Sequence, residues 1–146
     1  MSIEDDVALL ERVPTLRLLG NTALRMLAIG SEQRDFARGD LLFNAGDDAD
    51  AGYIVQRGAF RVEDGGAEII AGPGALIGEL ALIVAMKRPS SAVAIDNSTV
   101  IRVARSLFQR VLESDPAAAR RLRDELASRT SQVASDILMA GAKLSI

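Results

Sequence analysis

From Asp35 to Val103 the chain is cut into short apolar runs separated by glycine, aspartate and asparagine, and no other feature restricts its fold as much. The runs are Asp35-Phe36-Ala37, Leu41-Leu42-Phe43, Tyr53-Ile54-Val55, Phe60-Arg61-Val62, Glu68-Ile69-Ile70, Ala92-Val93-Ala94-Ile95 and Val100-Ile101-Arg102-Val103. Between them stand Arg38-Gly39-Asp40, Asn44-Ala45-Gly46-Asp47, Arg57-Gly58, Asp64-Gly65-Gly66 and Gly72-Pro73-Gly74, all turn chemistry. Asp64-Gly65 between two strand-like runs predicts a hairpin. Many short strands with few helices between them form a sandwich or barrel, not a parallel α/β sheet.

The flanks read differently. Ile3, Val7, Leu10, Leu16, Leu19, Ala23, Met26 and Leu27 fall at helical spacing, and Pro14 and Gly20-Asn21 break that run into short helices. Near the other end Ser106 is placed to cap a helix over 107–112, and Asp115-Pro116 opens a second one. From there to about Leu138 there is neither glycine nor proline. Leu122, Leu126, Val133 and Ile137 share a stripe that Arg129 interrupts. A helix of roughly twenty residues is ~30 Å long, more than a cap on a small sandwich needs, and its stripe invites a partner helix, giving a homodimer. One domain is expected over 1–146, with N-terminal helices over 1–33, strands over 34–104 and C-terminal helices over 105–140. The fold class is mainly β with flanking helices.

Composition removes whole classes of chemistry. The 146 residues include no cysteine and no histidine. A disulfide framework, a Cys/His zinc site, a thiol nucleophile and a Ser-His-Asp triad are therefore excluded, and a cupin-type metal enzyme lacks its usual ligands. Asp47-Asp48-Ala49-Asp50 lacks the spacing of a calcium loop. No metal site, cofactor or enzyme activity is expected. The net charge of −3 argues against general affinity for nucleic acid or anionic membrane. The acidic start (Glu4, Asp5, Asp6) is unlike a secretory signal. The longest apolar run, Gly74 to Met86, is interrupted by Glu79 and too short to span a bilayer. A cytoplasmic protein without membrane contact is expected.

One segment carries candidate binding chemistry. Gly78-Glu79-Leu80-Ala81-Leu82 is followed by Arg88-Pro89-Ser90-Ser91-Ala92. Gly78 can adopt a backbone closed to other residues. The residues after it can make one or two helical turns, whose leading N–H groups favour phosphate. Arg88 adds a planar, always-charged fork suited to phosphate oxygens. Ser90 and Ser91 supply further donors. Glu79 suits a phosphate site only if it accepts from a sugar hydroxyl while Arg88 offsets its charge. Taken singly, each has an ordinary role: glutamate in a first turn is favourable without ligand, and lone arginines and serines are common on surfaces.

Taken in order, Phe36-x-x-Gly39-Asp40-x-Leu42-Phe43-x-x-Gly46-Asp47-x-Ala49-Asp50-x-x-Tyr53-x-Val55-x-x-Gly58, Gly72-Pro73-Gly74, Gly78-Glu79-Leu80-Ala81-Leu82 and Arg88-x-x-Ser91 resemble the cyclic nucleotide-binding domain. That domain occurs in bacterial catabolite-activator-type regulators, protein kinase A regulatory subunits and cyclic-nucleotide-gated channels. The resemblance implies a double-stranded β-helix jelly roll with short N-terminal helices and a long C-terminal helix. It makes 78–92 the phosphate-binding cassette. Glu79 would take the ribose 2′-hydroxyl and Arg88 the cyclic phosphate, while the N–H groups near Leu80 and Ala81 and the Ser90/Ser91 region complete the cradle. The implied ligand is cyclic AMP or cyclic GMP, since a hydroxyl at Ser91 is compatible with both.

Two departures from the family pattern stand out. Pro89 follows the arginine and has no N–H to give. Val133-Ala134-Ser135 is less polar than the stretch that meets the base in catabolite activators. Eight residues follow Leu138, too few for a helix-turn-helix, so direct DNA binding is not expected. Arg120-Arg121-Arg123 has Asp124 and Glu125 beside it and reads as a solvated helix face. The chain is thus expected to be a stand-alone, non-enzymatic sensor that signals through its C-terminal helices to an unknown protein partner. The alternative is a degenerate member kept as a dimerisation or interaction module.

Overall fold

The computed structural model describes residues 2–64 and 66–129. Gly65, Val133, Ile137 and the 133–135 stretch, on which some of the expectations above fall, lie outside the described residues.

Three N-terminal helices come first: α1 (Ile3–Glu11), α2 (Pro14–Arg17) and α3 (Asn21–Gly30). Ser2 and Asp5 form a reciprocal capping box on α1, and Pro14 occupies the first position of α2, where a missing N–H costs nothing. The strands follow as β1 (Glu32–Phe36), β2 (Leu41–Phe43), β3 (Asp48–Ala49), β4 (Ala51–Arg57), β5 (Phe60–Asp64), β6 (Ala67–Ala71), β7 (Leu76–Ile77), β8 (Met86–Lys87), β9 (Ala92–Ala94) and β10 (Ser98–Ala104). A 3₁₀ turn, Glu79–Leu82, lies between β7 and β8. After β10 come α4 (Arg105–Ser114) and α5, helical over the described residues 116–129.

Among the described residues all strand pairs are antiparallel. They make two four-stranded sheets, ordered β1-β10-β4-β7 and β2-β9-β5-β6, with β3-β8 as a separate ribbon. This is the expected jelly roll. Gly58 turns β4 into β5 with φ +83°, and a Cβ there would lie 2.6 Å from the Asn97 carbonyl oxygen, so only glycine fits.

The first sheet is covered on both sides, which explains the continuous apolar run in β4. Tyr53 and Val55 face the jelly-roll interior with Phe60, Ile77 and Val100. Ile54 faces the other way, with Ile101 and Val103, into a core built from Leu10, Leu16, Leu24, Leu27 and Phe108. Fully burying a side chain such as Leu24 or Phe60 contributes about 1.5–3 kcal/mol. The same helical core takes in Leu82 of the 3₁₀ turn and Leu122 of α5, so the turn is packed between the sheet and the C-terminal helices.

Helix ends correct one expectation and match another. Ser106 does not cap α4: the cap is Ala104, with no side-chain bond, because β10 runs directly into the helix. Asp115 does open α5, its Oδ1 accepting from the Ala118 N–H at 3.1 Å. Replacing Asp115 by alanine is expected to remove about 1 kcal/mol of stability. In a thermal melt that is a fall of about 2–4 °C; an unchanged midpoint would show the cap to be idle.

Candidate functional site

β7 pairs with β4 through Tyr53 and Ile77 and delivers the chain to Gly78. Gly78 is left-handed (φ 79°, ψ 39°) and leads the 3₁₀ turn. A Cβ on it would sit 2.5 Å from a terminal nitrogen of Arg88, so glycine serves both the backbone bend and the close approach of the guanidinium. Ala81 and Leu82 are buried and fix the turn from below. The Ala81 N–H donates to the Gly78 carbonyl at 3.1 Å and is not available to a ligand. The N–H groups of Glu79 and Leu80 precede it and have no partner within the turn, by the geometry of any helix start.

β8 pairs with β3, and Arg88 follows directly. Its backbone is locked into the loop before β3: Arg88 N–H donates to Asp47 O at 2.7 Å, and Gly46 N–H donates to Arg88 O at 2.8 Å. The residue is 5% exposed. Its Nη2 donates to the Ala51 carbonyl at 2.8 Å, and its guanidinium carbon lies 4.2 Å from the Phe43 ring centre and 5.5 Å from that of Tyr53. Those faces offer cation–π attraction. No carboxylate among the described residues pairs with it; Asp50 is engaged by Arg102 at 3.2 Å instead. Nε is buried without a hydrogen-bond partner among the described residues. Burial accordingly pushes the Arg88 pKa below its ordinary value. A buried cation without a directly paired counter-charge is costly, and it gains most from an anion brought to it.

Glu79 begins the same turn and is tied to α2 and α5. Its Oε1 accepts from Thr15 Oγ1 of α2 at 2.5 Å and from Arg129 Nη1 of α5 at 3.0 Å. Arg129 Nη2 also donates to Thr15 Oγ1 at 2.7 Å, and its Nε donates to Glu125 at 3.4 Å. The hydrogen bond that Arg129 donates to Glu79 raises the Arg129 pKa.

A cavity of about 230 Å³ lies among these groups, lined by Phe43, Gly78, Glu79, Leu80, Ala81, Arg88, Pro89 and Ser90. A second, of about 350 Å³, adjoins it and shares Val62, Ile77, Gly78, Pro89 and Ser90; Ile69, Ile70 and Ala75 make the rest mostly apolar. The structure therefore gathers Gly78, Glu79, Leu80, Ala81, Arg88, Pro89 and Ser90 around one space. Ser91 is not in that lining: its Oγ accepts from the Ala45 N–H at 2.9 Å and braces the loop after β2.

Sequence reasoning missed Thr15 and Arg129. Arg129 sits fifty residues from Glu79, and no local pattern links them. Its place in the middle of an apolar stripe was the available signal. Arg121, part of the basic group on α5, donates to the Leu18 and Leu19 carbonyls at 2.7 and 2.8 Å, so it holds helices together. Among the described residues no group of His, Cys, Asp or Glu could hold a metal. No helix among them is long and apolar enough to cross a membrane.

The family model described as "Cyclic nucleotide-binding domain" matches residues 33–115. This chain belongs to the cyclic nucleotide-binding domain family. It is similar to the N-terminal domain of a transcriptional regulator from Streptomyces coelicolor A3(2), with 27% identity and a TM-score of 0.80 over 88% of this chain and 94% of that one. A cyclic nucleotide-binding-like protein from Brucella abortus shares 37% identity, with a TM-score of 0.65 over 75% of this chain and 98% of that one. An uncharacterized NTE family protein of Mycobacterium tuberculosis is 31% identical over 84% of this chain, which spans only 23% of that relative's length.

Proposed function

We propose that this chain is a non-catalytic sensor module that binds a purine cyclic nucleotide, cyclic AMP or cyclic GMP, and passes its occupancy to a protein partner through α5. The observation that carries the reading is Arg88: buried, stacked on Phe43, and lacking both a carboxylate partner and an acceptor for Nε among the described residues. The cyclic phosphate supplies the missing anion. Glu79, Leu80 and Ser90 line the same space; in this reading the N–H groups of the first two and the Ser90 hydroxyl add donors, with Ser90 standing in for the N–H that Pro89 lacks.

Glu79 accepts the ribose 2′-hydroxyl. Oε1 is held by Thr15 and Arg129, and Oε2 has no partner among the described residues, so the carboxylate can serve all of them. Arg129 neutralises it beside the phosphate, a task for which Arg88 alone would be overdrawn. The base lies in the apolar neighbour cavity. That lining offers no charged side chain to its edge, so the site reads sugar and phosphate and accepts both purines. The two cavities together reach the size of ordinary small-molecule sites, ~300–1,000 Å³.

Thermal melts test this directly. A ligand at a hundred times its dissociation constant adds about 2.7 kcal/mol of stability. Cyclic AMP and cyclic GMP are each expected to raise the midpoint by several degrees, and 5′-AMP, which lacks the ring, to do much less. No shift with either cyclic nucleotide at millimolar concentration would sink the proposal.

A further inference from the structure

Arg105 opens α4 outside the cavity lining, yet its side chain meets the cassette. One nitrogen, Nη1, shares its two N–H groups among three carbonyls: Ala49 at 2.8 Å, Ala81 at 3.2 Å and Val84 at 3.1 Å. The main-chain N–H of Arg105 also donates to Asp50 O at 2.8 Å. A positive side chain at the start of a helix gains nothing from that helix, whose N-terminal end is itself positive. Its favourable contacts are all with other segments.

Those segments are informative. Ala81 lies inside the 3₁₀ turn, and Val84, whose N–H still donates to Leu80 O, lies just past its end. The turn's own N–H groups donate to Gly78 O and Leu80 O, so the trailing carbonyls are left for an outside donor. Ala49 belongs to the extended segment that continues into β4. Two residues on, Ala51 O accepts from Arg88 Nη2. Arg105 and Arg88 thus grip one short stretch of strand. The first registers the tail of the turn that carries Glu79; the second places the phosphate-facing cation.

The geometry points to Arg105 as a positioning residue for ribose recognition: it sets the spacing between Glu79 and Arg88 by anchoring the cassette turn to the strand segment that anchors Arg88. This rests on the reading that the cassette binds a cyclic nucleotide. Without the anchor the turn can shift against the strand. Arg88 keeps its own anchors at Ala51 and Phe43, so the phosphate contact survives while the ribose contact loosens.

The test compares calorimetric affinities for cyclic AMP and 2′-deoxy cyclic AMP in the full chain. The wild type is expected to prefer the ribose ligand by about tenfold or more, because a hydrogen bond to a charged acceptor is lost with the hydroxyl. Arg105→Ala is expected to bring that preference close to unity. Arg105→Lys should largely keep it, since an ammonium offers three donors to the three carbonyls. A merely structural role would weaken both ligands by the same factor, and that result, or an unchanged preference in Arg105→Ala, overturns the inference. Should Arg105→Ala not fold, Arg105→Gln carries the same comparison. A wild type that binds neither ligand refutes the proposed function itself. One that binds both equally removes Glu79 from ribose recognition, and this inference with it.

Discussion

Arg88→Ala will abolish cyclic nucleotide binding while leaving the unliganded fold nearly as stable as before. The binding loss follows from charge and burial. In the proposed complex the phosphate meets a guanidinium that is 5% exposed and forms no ion pair with a carboxylate among the described residues, Asp50 being held by Arg102. Removing one partner of such a desolvated pair costs about 3–5 kcal/mol, roughly a hundred- to several-thousand-fold in affinity. The small stability change follows from the same facts. In the unliganded protein Arg88 is a buried charge with an orphan donor, and relief of that cost offsets the lost contacts with Phe43, Tyr53 and Ala51. Arg88→Met, which also restores most of the packed volume, is expected to match or exceed the wild-type midpoint without ligand. Calorimetry and thermal melts on the same samples decide the matter. Unfolding of both variants would make Arg88 a structural residue, and retained affinity in a folded variant would remove it from the site.

Much of this arrangement is legible in the chain because its signals are local. Gly78 before Glu79, and Arg88 within ten residues, put backbone bend, carboxylate and cation on one loop. The longer strands announce themselves by apolar runs such as Tyr53-Ile54-Val55, framed by glycines whose positive φ the structure requires, as at Gly39, Gly46 and Gly58. What stays hidden is either too short or too distant. β3, β7 and β8 have two residues each, and two residues have no period. Thr15, Arg105 and Arg129 reach the cassette from α2, α4 and α5, so their partners are fixed only by tertiary packing. Ser106 failed as a cap for a related reason: a hydroxyl at the right offset signals a helix start only where the preceding backbone leaves its strand, and here β10 continues to Ala104.

Arg129→Ala is the second large effect expected, and its direction separates two ways of coupling α5 to the ligand. If Arg129 and ribose competed for Glu79, deleting Arg129 would tighten binding. The geometry favours the opposite. Oε1 carries both Thr15 and Arg129, and in the proposed complex the ribose hydroxyl is assigned to Oε2. Arg129 also cancels the carboxylate charge that would otherwise face the phosphate. Its removal is expected to weaken cyclic nucleotide binding about ten- to a hundredfold, the scale of a charge-assisted hydrogen bond. Linkage then runs both ways: a nucleotide that binds better when α5 is docked must dock α5 more firmly when it binds. Hydrogen exchange over 116–129 is therefore expected to slow on adding ligand to the wild type, and to change little in Arg129→Ala at equal saturation. Glu79→Gln keeps the shape of the acceptor but removes the charge that holds Arg129, so it should lose the exchange effect more completely than it loses affinity. Tighter binding by Arg129→Ala would reverse the sign of the coupling and make the Glu79–Arg129 pair a lock that ligand must open.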